Sequence, residues 1–366
     1  MSQTVFEYLT SRDHEQIVFC SDQASGLRAI IALHDTTLGP GLGGCRMMTY
    51  KSEDEAIRDV PRLSRGMTYN AAVAGLNLGG GKTIIIGDPK KDKSEALFRA
   101  FGRFVHGLGG RYITAEDVGT SVADMRWVRM ETPYVTGIAR ALGGSGDPSP
   151  MTSWGAYLGI QACVKFLYGQ NNLSEFRVAI QGLGHTGYWL AKYLADDGVK
   201  LYVTDIDDER VAAVVEEFDA TPVPLEDIYS VDAEIFAPCA LGGIVNDQTL
   251  EKFKFKIIAG TANNVLESED THGPSLGERG ILYAPDFVIN SGGLINVANE
   301  LEGYNQERAK LQIERIYDIL MDIFQTAKSE NIPTSAAANK VAAKRLAMAA
   351  SLKRTWVGTA PIKMNR

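Results

Sequence analysis

The sequence predicts an α/β chain of two domains: an N-terminal α/β domain and a second domain built on a parallel sheet, with a cleft between them. Three observations carry this. From residue 176 the chain alternates strand and helix through FRVAIQGLG, HTGYWLAKYLADDG, VKLYVTDID and DERVAAVVEEFD. That is the rhythm of a parallel sheet with helices on its faces. At GGSGDPSPMTSWG, residues 143–155, the composition shifts to Gly, Ser and Pro and marks a boundary. The 366 residues also exceed one typical domain and fit two.

Taken in order, EQIVFCSD and LRAIIALHDT read as strands, rich in β-branched residues and bounded by turn formers. SEDEAIRDVPRLSRGMTY reads as a helix opened by a capping box of Ser52 and Glu55. Pro61 sits inside that helix, where a proline costs about 3 kcal/mol or bends the axis. KTIIIGD is a buried strand entered from a glycine run, and EALFRAFGRFVHGLGG is an amphipathic helix closed by glycines. Beyond the boundary, Thr152 or Ser153 caps the helix SWGAYLGIQACVKFLYG. After the alternating region come short strands in AEIFAPCA, FKIIAGTA and ILYAPDFVIN. A long helix begins near Asn305 with Ile313, Ile316, Leu320 and Ile323 on one stripe, and SAAANKVAAKRLAMAASLKR forms the last helix.

Bulk properties narrow the function. Net charge is −8, which disfavours a nucleic-acid partner. No apolar run reaches membrane-spanning length, and the first residues, MSQTVFEYLTSRDHEQ, show no export leader, so no membrane partner is expected. Cys20, Cys45, Cys163 and Cys239 lack paired or zinc-type spacing. They read as free thiols of a cytoplasmic protein that binds no metal.

GLGHTG, residues 182–187, follows a strand and opens a helix, the context that gives a GxGxxG its meaning. Gly182 permits the tight turn, Gly184 lets backbone approach a pyrophosphate, and Gly187 lets helix and strand pack closely. With Leu183, His185 and Thr186 they form a helix N-terminus offering N–H groups to phosphates. Asp205 ends the next strand, roughly twenty residues on, followed by Ile206. An acidic residue there binds ribose hydroxyls and repels a 2′-phosphate, so NAD is the expected cofactor. Asp207 or Asp208 is an alternative for that role. PCALGG (238–243) and AGTANN (259–264) each follow a strand of the same sheet, which makes Cys239, Ala240, Leu241, Ala262 and Asn264 candidates beside the cofactor.

The stretch LNLGGGK ends in Lys82. A phosphate loop needs the order strand, glycine loop, helix, whereas here the glycines and Lys82 lead into a strand. A lysine in such a poorly solvated setting is expected to act as a general base. RYITAEDVGTS, 111–121, places Glu116 and Asp117 at a strand end, where a carboxylate can move protons.

Taken together, TLGPGLGGCRM, LSRGMTY, LNLGGGK, RYITAEDVGT, GDPSPMT, QGLGHTG, CALGG, AGTANN and APDFVINSGGLINVANE resemble the amino acid dehydrogenases of the leucine/phenylalanine/valine type, related to glutamate dehydrogenase. The resemblance covers essentially the whole chain. LNLGGGK and ITAEDVGT are worded most like the leucine branch, ANNV more like the phenylalanine branch. The resemblance implies reversible oxidative deamination of an aliphatic L-amino acid to a 2-oxo acid, with ammonia and NADH. It implies a substrate-binding and oligomerisation domain over 1–137 plus 333–366, a Rossmann-type NAD domain over 138–332, and a homo-oligomer from dimer to octamer. By position, Lys82 matches the water-activating lysine and Asp117 the proton-transferring aspartate. Gly43, Gly44 and Met67 match the pocket near the substrate; Leu42, Ala115, Leu294 and Val297 match the side-chain pocket. Asn264 matches a residue near substrate and nicotinamide, and Thr152 a contact to the carboxamide.

One position departs. Where the resemblance places a lysine for the substrate carboxylate, this chain has Asn70, an amide with neutral donors only. The loss of charge points to an alternative, an amine dehydrogenase that aminates ketones. A shifted register, with another cation serving and Arg65 the nearest upstream, is a further alternative. So is a non-catalytic NAD-binding regulator, against which the retention of both Lys82 and Asp117 argues.

Overall fold

The computed structural model describes residues 5–11, 13–240 and 242–352. These form two compact units. The first holds the described residues up to Asp147, Val297–Gln306 and those from Ala342; the second holds Pro148–Asn296 and Glu307–Val341. The first crossing thus falls at Asp147–Pro148 instead of after residue 137. The extra residues stay with the first unit because the Glu300 carboxylate accepts from the N–H groups of Gly137 (3.1 Å) and Ser145 (2.7 Å).

The strands of the first unit are β1 (Gln16–Asp22), β2 (Leu27–Leu33), β3 (Gly41–Met48), β4 (Gly79–Ile86) and β5 (Tyr112–Glu116), in the order β1-β2-β4-β3-β5. β1, β2 and β4 are antiparallel neighbours, while β3 runs parallel to both β4 and β5. The helices are α1 (Val5–Thr10), α2 (Glu53–Val73), α3 (Glu95–Gly107) and α4 (Val122–Arg129). Strand residues alternate between faces. Cys45, Met47, Ile85 and Tyr112 therefore join Phe98, Phe101 and Val128 of α3 and α4 in one core. Ile30, Ala32 and Ile84 point the other way and meet Ala56 and Val60 of α2.

Two local readings change here. β3 went unread in the sequence because glycine has low strand propensity, yet this strand joins β4 to β5. The glycines of LNLGGGK are not a loop before β4 but its first residues. Gly80 lies directly beneath α2: a Cβ there would collide with the Ser64 carbonyl and Thr68. Small residues let helix and strand approach. The α2 cap forms as read, with Ser52 Oγ accepting from Glu55 N–H (3.2 Å), but the Glu55 carboxylate turns to the N–H of Lys51 (2.9 Å). Pro61 is accommodated within α2, buried, with its carbonyl accepting from Ser64 Oγ at 2.9 Å.

The second unit carries a six-stranded parallel sheet in the order β11-β10-β9-β6-β7-β8, from β6 (Arg177–Gln181), β7 (Lys200–Thr204), β8 (Thr221–Pro222), β9 (Ile235–Pro238), β10 (Ile257–Ile258) and β11 (Leu282–Tyr283). Its helices include α5 (Ser149–Tyr168), α6 (His185–Asp196), α7 (Asp208–Phe218), α8 (Asp247–Leu250), α9 (Glu269–Glu278) and α10 (Asp286–Ile289). Three more, α11 (Gly292–Ala298), α12 (Gln306–Glu330) and α13 (Thr334–Leu352), complete the α-helices of the described residues. Ile313, Ile316, Leu320 and Ile323 of α12 are fully buried, as their spacing requires. Lys353 and Arg354, at the end of the last predicted helix, lie outside the described residues.

Neither Thr152 nor Ser153 caps α5. The helix starts earlier, with Pro148 at its N-cap and Pro150 in the first turn, where a missing N–H costs no helical bond. Thr152 Oγ1 instead donates to the Pro148 carbonyl (3.1 Å), and Ser153 Oγ to the Thr186 carbonyl (2.7 Å). Among the described residues no helix is long and apolar enough to cross a membrane.

Candidate active site

Pleat parity selects the polar residues of the first unit. On β4, Lys82 stands two residues from Ile84 and so faces α2 with it. On β3, Leu42, Gly44 and Arg46 do the same, and on β5 Ala115 points with them and Asp117 continues that side. Lys82 is 6% exposed. Its Nζ lies 3.0 Å from Asp117 Oδ2, and Arg46 Nε lies 3.2 Å from the same oxygen. Burial pushes the Asp117 carboxyl up, but Lys82 and then Arg46 outweigh it and hold the group below the usual carboxylate range.

The backbone around Asp117 is fixed. Its N–H donates to Thr120 Oγ1 (2.9 Å), which donates in turn to the Cys45 carbonyl (2.8 Å). Gly44 makes room for the carboxylate: a Cβ there would stand 2.6 Å from Asp117 Cβ. Gly43 leaves similar room for Met67, whose Cγ would be 3.2 Å from a Cβ at Gly43. The Tyr112 hydroxyl donates to the Gly43 carbonyl at 2.8 Å and pins this backbone from the opposite face. Leu42 is 1% and Ala115 7% exposed. Glu116, one residue from Asp117, turns to the other face of the sheet, where Asp147 and Asp124 oppose its charge.

Met67 and Asn70 are one turn apart on α2 and share a face. The Asn70 Oδ1 atom is buried and accepts no hydrogen bond from the described residues. The Arg65 guanidinium lies over the Tyr69 ring, 4.4 Å from its centre. Arg46 was missed by sequence reasoning. It lies in a glycine-rich stretch that carried no strand signal, so its parity with Lys82 was hidden.

In the second unit the candidates gather at the carboxyl ends of parallel strands. Gly182 has φ +95°, and a Cβ at Gly187 would strike the Gly182 carbonyl. Leu183 N–H donates to Asp205 Oδ2 (2.5 Å) and Asp207 N–H to Asp205 Oδ1 (3.0 Å). Asp207 itself is taken up by the cap of α7, accepting from Glu209 N–H (3.1 Å), and Asp208 starts that helix. Gly184 is the N-cap of α6, so His185, Thr186 and Gly187 present its free first turn. Ile206 is 88% exposed beside Asp205.

Thr186 Oγ1 lies 2.8 Å from Thr261 Oγ1, and Gly243 N–H donates to the Asn264 carbonyl (2.7 Å). The loops holding Cys239, Ala240, Ala262 and Asn264 therefore pack against each other and the glycine turn; Leu241 lies outside the described residues. Asn264 sits at φ +52°. Asp286 Oδ2 accepts from Val265 N–H (2.9 Å), and Asn290 Nδ2 donates to Asn263 Oδ1 (2.6 Å), two supports for that loop that the motif reading did not single out. On α11, Leu294 is half-buried and Val297 is 7% exposed.

Comparison with known proteins is decisive. The Glu/Leu/Phe/Val dehydrogenase dimerisation domain matches residues 14–134, and the Glutamate/Leucine/Phenylalanine/Valine dehydrogenase domain matches 202–354. The chain is a member of the glutamate/leucine/phenylalanine/valine dehydrogenase family. Within this family it is 58% identical over 342 residues to leucine dehydrogenase of Geobacillus stearothermophilus, covering 93% of each chain. It is 55% identical to leucine dehydrogenase of Thermoactinomyces intermedius over 96% of each. L-tryptophan dehydrogenase from Nostoc punctiforme superposes with a TM-score of 0.83 at 45% identity, over 96% of this chain and 100% of that one.

Proposed function

We propose that this family member catalyses the NAD-dependent, reversible oxidative deamination of an aliphatic, leucine-like L-amino acid to the 2-oxo acid and ammonia. One observation carries the reading: Lys82 Nζ and Asp117 Oδ2 are 3.0 Å apart on one face of the sheet, in a chain 58% identical to a leucine dehydrogenase. The glycine turn, the open N-terminus of α6 and the Asp205 carboxylate fit the pyrophosphate and ribose of NAD. Bound NAD supplies the acceptor for the hydride that leaves the substrate Cα.

Lys82 Nζ takes a proton from water, and that water oxygen bonds to the former Cα. Asp117 Oδ2, protonated by the substrate ammonium before the hydride leaves, returns that proton to the amino nitrogen and then takes the hydroxyl proton as C=O forms, the C–N bond breaks and ammonia leaves. Low exposure of Lys82 keeps bulk water from competing for its proton. Leu42 and Ala115 offer apolar surface on the same face and suit an aliphatic side chain. The four cysteines are free, which supports a cytoplasmic protein. The match to a dimerisation domain supports a homo-oligomer between dimer and octamer, which light scattering after size exclusion measures.

A second reading follows from Asn70. A neutral amide with an unsatisfied buried Oδ1 favours a ligand that donates there over a carboxylate that only accepts. An amine is such a donor, whereas a ketone oxygen, like a carboxylate, only accepts. NADH consumption with ammonium and either 4-methyl-2-oxopentanoate or 4-methyl-2-pentanone decides. Preference for the oxo acid supports deamination of amino acids and sinks the amine reading; preference for the ketone does the reverse. Tight NADH binding with no turnover on either would leave a regulator as the better account.

A further inference from the structure

Lys82 and Asp117 are not alone, because Arg46 reaches the same carboxylate oxygen from β3. We propose that Arg46 is a positioning residue that keeps Asp117 turned toward Lys82 and stabilises its ionised form before and after it carries a proton. The inference rests on the reading of Lys82 and Asp117 as the proton-transfer pair. A general base must lose its charge for part of each turnover, and Lys82 is then no counter-ion for Asp117. A guanidinium stays charged at every accessible pH. Arg46 therefore supplies the permanent positive charge, and Lys82 the intermittent one.

The geometry suits that role. Arg46 Nε points at Asp117 Oδ2 from 3.2 Å, while Nη1 lies 3.7 Å from Asp59 Oδ2 on α2. Asp59 is itself held by the Tyr50 hydroxyl, which donates at 2.8 Å, and by Arg62 at 2.8 Å. The planar fork is thus anchored at one edge to the helix and aimed with the other. The remaining groups that bear on Asp117 do not substitute for it. Glu116 is its chain neighbour, and Asp124 on α4 carries the same negative sign, compensated by Lys93 at 2.5 Å. Cys45 and Tyr112 are buried and neutral, their ionisation pushed far up by burial. Among these, Lys82 and Arg46 are the cations that hold the Asp117 carboxyl down.

The test compares the pH dependence of kcat/KM in the wild type, Arg46→Met, Arg46→Lys and Lys82→Met. Carboxyl 13C NMR of Asp117, assigned through Asp117→Asn, follows the same titration without substrate. In Arg46→Met the acidic limb and the Asp117 titration both move to higher pH by about one unit or more. At neutral pH kcat falls by about tenfold or more while KM changes little. Arg46→Lys restores part of the shift. An Asp117 titration unmoved in Arg46→Met overturns the proposal, as does equal loss in the Lys and Met variants that tracks a lowered melting temperature. If Lys82→Met keeps full turnover, the proton-pair reading fails instead, whatever Arg46 does. If Lys82→Met is inactive and the Arg46→Met titration stays in place, only the role of Arg46 fails.

Discussion

Lys82 and Asp117 were legible as residues because each stands in a stretch whose composition is unusual for what surrounds it: a lysine at the end of a glycine run, and two adjacent carboxylates at a strand end. Which of the two carboxylates faces the lysine follows from the pleat, since neighbours on a strand point to opposite sides. Arg46 has the same parity, but its strand was invisible. If Lys82 is the base, Lys82→Met lowers kcat by about 10²–10⁴-fold, the usual contribution of a positioned proton acceptor. Single-turnover kinetics with NAD checks this, and a variant within tenfold of wild type contradicts it. Asn70 makes a second prediction. If Asn70 meets the substrate carboxylate, Asn70→Lys changes a neutral contact worth about 1 kcal/mol into a charge-assisted one worth about 1.5–3. KM for the amino acid falls by roughly 2- to 30-fold while any ketone amination declines. An unchanged ratio of amino-acid to ketone activity would show that Asn70 does not meet the carboxylate position.

At the scale of elements, hydrophobic periodicity found the long helices and the β-branched strands, and failed where glycine carries the strand. β3 and the start of β4 use glycine because α2 and Asp117 crowd them, so the features that build the site erase its strand signal. Gly80→Val tests this: the added side chain has to displace α2 at Ser64 and Thr68. It costs about 1–3 kcal/mol or more in urea unfolding and lowers kcat as well. Wild-type stability in that variant contradicts close helix–strand packing as the reason for the run. Glu116 adds a pH dependence. Burial pushes its carboxyl up to about 7, and Asp147 and Asp124 add to the shift. A folded pKa above the unfolded one means that ionisation opposes folding. The penalty is absent below the unfolded value, near 4.5, and complete above about 7. Glu116→Gln therefore stabilises the protein above pH 7 by on the order of 1–2 kcal/mol, discounted for solvent screening, and leaves stability at pH 4 unchanged. Urea midpoints at the two pH values give the comparison, and a gain of equal size at both is inconsistent with it.

For the whole molecule, strand–helix alternation and one glycine fingerprint sufficed for a two-domain α/β chain. The limits of the two units were less legible. Segment Val297–Gln306 returns to the first unit through Glu300, a tertiary contact that leaves no local signature. Arg345 is similar. It donates to the carbonyls of Ala72 (2.9 Å) and Leu76 (2.7 Å) at the end of α2, capping from far along the chain the helix that carries Met67 and Asn70. Cofactor choice is also a property of the whole molecule. NADH at about a hundred times its Kd adds about 2.7 kcal/mol to the stability of the unit that binds it. If the Asp205 carboxylate meets the adenosine ribose, it repels a 2′-phosphate, and NADPH at the same concentration adds far less. Equal shifts in melting temperature for the two cofactors contradict the assignment of Asp205.

The central claim is that Lys82 and Asp117 drive the exchange between an aliphatic amino acid and its oxo acid. The most direct measurement is NADH consumption with 4-methyl-2-oxopentanoate and ammonium by the wild type and by Lys82→Met. Turnover by the wild type, lost by about 10²-fold or more in the variant at comparable NADH affinity, is the predicted result. No turnover by the wild type, or equal turnover by both proteins, contradicts it.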